Sequence, residues 1–160
     1  MPEQPRPIIF VCTANICRSP MAEALFQHAL AAEPEPFRSI AVASAGVSAV
    51  DGQPASPNSV EAMRKVGLNL ADHRSRHLTQ VLLDEALAVL CMTESHLDII
   101  RLQYRKIPER VHLMREFMTD TRDHEIPDPF GGNLRTYESC RDSMVEAIPS
   151  LLKFVRSLKS

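Results

Sequence analysis

No apolar run in the chain approaches the ~20 residues that cross a bilayer, so no membrane-spanning helix is expected. The N-terminus, 1–7, is polar and proline-rich. The apolar run behind it, Ile8–Cys12, is too short for the core of a signal peptide. A cytoplasmic protein is therefore expected. An excess of charge of one sign is also missing: 18 Lys+Arg against 20 Asp+Glu leave a net charge of -2 and a pI of about 6.3. That balance offers no general attraction to nucleic acid or anionic lipid, which argues against a nucleic-acid module. There is no internal repeat, low-complexity segment or long linker. The 160 residues fit one domain, 1–160, and a chain of this length buries roughly two-thirds of its unfolded surface. The four cysteines, Cys12, Cys17, Cys91 and Cys140, come without an export signal, so free thiols are the default. At least one of them then needs a chemical explanation.

What is present is a regular alternation of elements. Ile8–Cys12 is an unbroken apolar run, the pattern of a strand buried on both faces. Pro20 follows at a position that suits the first turn of a helix, and Met21, Leu25 and Ala29 then repeat along one helical face. Ser39–Ala43 reads as a second strand, stopped at Gly46. Pro57–Val66 reads as a helix with Ser56 or Asn58 as its cap and Gly67 as its stop. Leu78–Ala86 is helical in pattern, Leu87–Met92 is a third strand, and Thr93–Leu102 a further helix. Val111–Met114 is a short fourth strand, and Tyr137–Leu158 a last long helix with Pro149 as a kink or break. Strand–helix alternation predicts a doubly wound α/β domain with a parallel sheet. Ligands bind at the carboxyl ends of such strands, so the chemistry is expected in the loop Cys12–Ser19.

In that loop a cysteine ends a buried strand, an arginine follows six positions later, and a helix starts at once. The backbone amides of such a loop form a nest for an anion, and the helix adds its free N–H groups and the positive end of its dipole. Arg18 adds a planar fork that matches two phosphate oxygens. The same field acts on the sulfur. A free thiol titrates near ~8.5, and a helix N-terminus with a neighbouring cation brings it to roughly 3.5–7.5. Ser19 is placed to donate its hydroxyl to that sulfur. A thiolate at the floor of an oxyanion cradle suits in-line attack on a phosphate ester, with a phosphocysteine intermediate. Read alone, Cys12 is a buried strand-end residue and Arg18 a helix-capping charge; the strand before, the helix after and Ser19 together favour the chemical reading. The loop is not a nucleotide-triphosphate loop, because that motif's glycines and lysine are absent.

A leaving alkoxide or phenoxide needs a proton donor. Asp128 sits between Pro127 and Pro129, which restrain the backbone around it, with Phe130 beside it and Gly131-Gly132 as a hinge. A plain turn aspartate is the competing reading. Beside the cysteine loop, Asp128 becomes the candidate acid, and the same carboxylate is suited to activate water against a phosphocysteine.

Val11–Pro20 together with Ile126–Pro129 closely resembles the low-molecular-weight protein tyrosine phosphatase family. Met21–Ala24, Ser44–Gly46 and His73–Arg76 extend the likeness over nearly the whole chain. The resemblance implies a three-layer α/β sandwich with a four-stranded parallel sheet, no metal, no organic cofactor and a phosphorylated protein or peptide as substrate. It implies Cys12 as nucleophile, Arg18 as phosphate ligand and Asp128 as acid and base, with Thr13, Ala14, Asn15, Ile16, Cys17 and Ser19 completing the phosphate loop. Asn15 resembles the asparagine that holds the cradle's shape, assisted by Ser19, Ser44 and His73; a solvated turn residue is the equal alternative for His73. Cys17 resembles the family's second loop cysteine, which pairs with the nucleophile on oxidation and protects it from further damage. Cys91 and Cys140 match no family chemistry and read as core or helix-face residues. A monomer is expected.

The substrate signals divide. Many relatives carry two tyrosines after Asp-Pro where this chain has Phe130-Gly131, and Met-Asp where it has Met92-Thr93. Both departures resemble the branch that removes phosphate from arginine. That branch tends to carry a loop threonine where this chain has Ile16, and a bulky apolar residue there suits a flat aromatic ring. Phosphotyrosine is the expected substrate, with Ile16 and Phe130 as specificity residues and phosphoarginine as the alternative. Val47–Ala55 and Phe130–Leu134 are expected to border the mouth. Arsenate reduction on the same fold would need resolving cysteines, and no clear pair is present. A non-catalytic phosphate-binding module would carry a degraded nucleophile or acid, whereas Cys12, Arg18 and Asp128 are all intact.

Overall fold

Four parallel strands in the order β2-β1-β3-β4 form the middle layer of the computed structural model, which describes residues 6–158. The ends of the polar segment 1–7 and of the span 1–160 therefore fall outside the described residues. β1 (Ile8–Cys12) is central and wholly buried, as its unbroken apolar sequence demands. It pairs with β2 (Val42–Gly46) on one side and β3 (Ala88–Cys91) on the other, and β4 (Val111–Leu113) closes the edge against β3.

Side chains alternate across the sheet and meet two separate cores. Ile8, Phe10 and Cys12 face one core with Met21 and Phe26 of α1 (Arg18–Leu30), Met63 of α2 (Pro57–Arg64) and Met144 and Leu151 of α5 (Leu134–Ser157). Ile9, Val11 and Cys91 face the other, with Leu83 of α3 (Gln80–Glu85) and Leu97 and Ile100 of α4 (Glu94–Gln103). The result is the expected three-layer sandwich. Because β1 is flanked by β2 on one side and β3 on the other, a crevice opens at its carboxyl end, where the loop to α1 begins.

Several boundaries differ from the sequence reading. The second strand is Val42–Gly46 and not Ser39–Ala43; Phe37–Ser39 form a 3-10 turn instead. Pairing decides this: the register runs Ile8↔Val42 to Cys12↔Gly46, which brings the small residues Ser44-Ala45-Gly46 alongside the loop. The first helix starts at Arg18, so Pro20 is its third residue. Proline is tolerated there because the first amides of a helix have no partner inside it. The third helix is shortened to Gln80–Glu85, since Thr79 stops it by accepting the Leu82 N–H at 3.2 Å. Ser56 stands at the cap of α2, but its hydroxyl donates to Ser59 Oγ at 2.8 Å and not to a cap bond. Helix α5 starts three residues early, capped by Asn133, and runs through Pro149 without a break. Pro149 lies on the exposed side, as does Val145, whose carbonyl loses its helical donor.

Candidate active site

The loop Cys12–Arg18 is held from outside by its carbonyls. Val47 N–H donates to the Cys12 carbonyl at 3.0 Å, Ser48 N–H to Thr13 at 2.9 Å, and Ser56 N–H to Ile16 at 2.8 Å. His73 Nε2 reaches the Asn15 carbonyl at 2.7 Å, and Ser59 Oγ donates to that of Cys17 at 3.3 Å. With these carbonyls turned outward, the loop's amides are left for its interior, the arrangement of an anion nest. Cys17 stands at the N-cap of α1 without a side-chain cap bond, which leaves that helix end open to an anion as well. Gly46 permits the tight packing: a Cβ there would lie 2.5 Å from the Thr13 carbonyl oxygen and 2.9 Å from the Asn15 nitrogen.

Asn15 is fully buried and is the one non-glycine residue with positive φ, at 59°, among the described residues. Asparagine is among the few side chains that accept this conformation readily. Its amide also ties the loop to three other segments. Nδ2 donates to Ser19 Oγ at 2.7 Å and to Ser44 Oγ at 3.0 Å, and Oδ1 accepts from the Arg76 amide at 2.9 Å. Ser44 Oγ donates to Glu23 at 2.6 Å. Ser19 Oγ therefore receives Asn15's proton and stands 2.9 Å from Cys12 Sγ, with the Ala45 carbonyl oxygen 3.5 Å away as the other acceptor for its own proton. The chain Glu23–Ser44–Asn15–Ser19 thus ends on a hydroxyl beside the sulfur.

Arg18 is 4% exposed. Nη1 donates to the Ile126 carbonyl at 3.0 Å and Nη2 to Thr13 Oγ1 at 3.4 Å, while Nη2 lies 3.9 Å from Asp128 Oδ2. Its Nε is buried without a partner. A buried guanidinium donor left unmatched costs on the order of 1–3 kcal/mol, which an oxyanion in the loop would recover. The segment carrying Asp128 is pinned at its base. Ile126 N–H donates to Met92 O at 2.9 Å, and the Glu94 N–H at the start of α4 donates to the Glu125 carboxylate at 2.7 Å. Asp128 Oδ1 accepts the Phe130 N–H at 3.0 Å, and its carboxyl group stays half exposed.

These groups enclose a cavity of about 210 Å³ lined by Cys12, Thr13, Ala14, Ile16, Cys17, Arg18, Asp128 and Phe130. Asn15, Ser19, Ser44 and His73 lie behind the loop and brace it. Residues 47–55, expected at the mouth, do not line this cavity; Val47 and Ser48 hold the loop from behind instead. Of Phe130–Leu134 only Phe130 lines it. Cys17 Sγ is 3.4 Å from Ser56 Oγ and 3.5 Å from Tyr137 Oη. Burial pushes the Cys140 thiol up to about 12, and it raises the Cys91 thiol as well. Cys91 points into the core on the sheet face opposite Cys12, so it is no resolving partner for it.

Sequence reasoning missed His96. It is 2% exposed, closes a capping box with Thr93 at the start of α4, and reaches Thr13 Oγ1 with Nε2 at 3.0 Å. Burial first, and then the Arg18 charge, lower its pKa to about 4. The Thr93-to-His96 spacing was the available signal, since a cap residue and a side chain three positions on form such boxes.

A parallel α/β sandwich whose first strand ends in a Cys12–Arg18 anion loop, with an aspartate across the cavity, defines a cysteine-based phosphatase. The model of the family described as low molecular weight phosphotyrosine protein phosphatase matches residues 7–160, and the chain belongs to that family. It is 41% identical over 148 residues to the protein-arginine-phosphatase of Bacillus subtilis (strain 168), covering 91% of this chain and 94% of that protein. It is 30% identical to the probable low molecular weight protein-tyrosine-phosphatase EpsP of Ralstonia solanacearum, covering 94% and 97%. Among solved structures, the YwlE arginine phosphatase from Geobacillus stearothermophilus superimposes with a TM-score of 0.83 at 35% identity, over 96% of this chain and 94% of that one. The low molecular weight protein tyrosine phosphatase from T. tengcongensis gives 0.83 at 33% identity, over 92% and 97%. No helix among the described residues is long and apolar enough to cross a membrane.

Proposed function

We propose that the chain hydrolyses phosphotyrosine in proteins, with Cys12 as nucleophile, Arg18 and the loop amides as the phosphate site, and Asp128 as acid and base. The observation that carries this reading is the Arg18 Nε, buried without a partner in a guanidinium otherwise held by Ile126 and Thr13, beside a sulfur 2.9 Å from the Ser19 hydroxyl. Cys12 Sγ attacks phosphorus in line with the leaving oxygen. The S–P bond forms as the P–O bond breaks, and Asp128 gives its proton to the departing phenoxide. The extra negative charge on the equatorial oxygens falls on the Arg18 fork and the amides, the geometry that favours the transition state over the ground state. Asp128, now a carboxylate, takes a proton from water. That water attacks phosphorus, the S–P bond breaks, and thiolate and inorganic phosphate are released.

Ile16 and Phe130 supply the apolar walls that suit an aromatic ring. A second reading has its own support. Two curated relatives carrying the name protein-arginine-phosphatase are 41% and 36% identical to the chain, and the half-exposed Asp128 carboxylate offers a guanidinium a partner. The test compares turnover of phosphotyrosine and phosphoarginine peptides by the wild type, Ile16→Thr and Cys12→Ser. The proposal expects the wild type to prefer phosphotyrosine, Ile16→Thr to move toward phosphoarginine, and Cys12→Ser to be inert. A wild type that prefers phosphoarginine overturns the tyrosine assignment and leaves the Cys12 chemistry standing.

A further inference from the structure

We propose that His96 is a positioning residue of the phosphate site, holding the Thr13 hydroxyl so that its proton faces the bound phosphoryl group; this rests on the phosphatase reading above. The argument is one of proton placement. His96 Nδ1 lies 3.1 Å from the Thr93 backbone N–H, which has only a proton to give, so Nδ1 must accept. The single ring proton then sits on Nε2, and Nε2 donates to Thr13 Oγ1 at 3.0 Å. The low pKa of the buried ring keeps it in this neutral form at ordinary pH.

Thr13 Oγ1 also receives the Arg18 Nη2 proton at 3.4 Å. Both lone pairs of the hydroxyl are thereby filled by donors, and its own proton has neither as an acceptor. Thr13 lines the cavity, where a phosphoryl oxygen offers that acceptor. The pair does two things at once. It converts a freely rotating hydroxyl into a fixed donor, and it braces the Arg18 fork on the side away from Ile126. The reach comes from the fold: β3 pairs with β1, so the start of α4 stands beside the loop that follows β1.

His96 also caps α4, so simple truncation confounds stability with positioning. Two amide substitutions separate them. Asparagine sets an acceptor near the place of Nδ1 and has nothing to reach Thr13, whereas glutamine sets an N–H near the place of Nε2. The variants are His96→Asn, His96→Gln, Thr13→Val and the pair His96→Asn with Thr13→Val. The probe is inorganic phosphate, read as competitive inhibition of aryl phosphate turnover and as protection of Cys12 from iodoacetate. Melting temperature and a pH–rate profile are measured alongside. His96→Asn is expected to weaken phosphate binding about tenfold while keeping its melting temperature. Thr13→Val matches that loss, the pair is no worse than Thr13→Val alone, and His96→Gln recovers most of it. Phosphate binding by His96→Asn within twofold of the wild type overturns the proposal, and so do losses that multiply in the pair. If the wild type fails to hydrolyse aryl phosphate, the phosphatase reading falls, while protection of Cys12 by phosphate still decides the role of His96. A wild type that phosphate does not protect overturns both.

Discussion

Replacing Asn15 by alanine should be among the most damaging single changes in the chain, and its size follows from the geometry. The residue sits at φ 59°, where an alanine Cβ costs on the order of 1–2 kcal/mol. The change also removes the acceptor of the Arg76 amide, a part-buried bond of 2.9 Å, and the donor to Ser19 and Ser44. An orphaned amide costs about 1–3 kcal/mol when wholly buried and falls at the low end of that range at a part-buried site, and the two serines lose less because a hydroxyl rotates. The sum is roughly 2–4 kcal/mol, a large part of the ~5–15 kcal/mol that holds a domain of this size. Asn15→Gly separates the parts. It keeps the lost bonds and removes the Cβ penalty, so it should be about 1 kcal/mol less harmful than Asn15→Ala. The assay is urea unfolding at pH 7 with the slope compared between variants. An Asn15→Ala protein within about 1 kcal/mol of the wild type would refute the reasoning, as would a glycine variant no better than the alanine one.

Gly46→Ala places a Cβ 2.5 Å from the Thr13 carbonyl oxygen and 2.9 Å from both the Asn15 nitrogen and Ala49 Cβ, so the loop must shift. The expected result is a loss of about 1–3 kcal/mol with turnover at least tenfold down, read by thermal unfolding and an aryl phosphate assay. His96 gives a pH dependence. Its folded pKa of about 4 lies below the ordinary 6.5, so on acidification the unfolded chain takes up the proton first. Its stabilising contribution is complete above pH 6.5 and declines as the pH falls toward 4, by about 3 kcal/mol. Urea unfolding at pH 7 and pH 4 should therefore show the wild type losing about 3 kcal/mol more than His96→Asn.

The loop from Cys12 to Ser19 was legible because it is contiguous. Strand, nucleophile candidate, arginine and helix start follow one another within a dozen residues, and the two prolines around Asp128 mark the opposing segment. What remained hidden depends on pairing between distant segments. The second strand was displaced because Ile40–Ala43 carries the stronger apolar signal, while the register with β1 selects Val42–Gly46. Val47 and Ser48, at the start of the segment expected at the mouth, hold the loop from behind through their amides, which carry no side-chain signature. His96 looked like any helical histidine until the β1–β3 pairing set it against Thr13. Pro149 was expected to kink or break a helix that runs on through it, because its side of α5 faces solvent.

The most direct test of the central claim is to trap the covalent intermediate. An aryl phosphate is mixed with the wild type and with Cys12→Ser, quenched in acid within milliseconds, and the digested protein is mapped by mass spectrometry. The account predicts phosphate on Cys12 of the wild type in an amount approaching one per chain, formed with a burst of released phenol, and no phosphocysteine and no burst on the Cys12→Ser protein. Turnover by the wild type with no phosphocysteine, or phosphate found on another of its side chains, would contradict it.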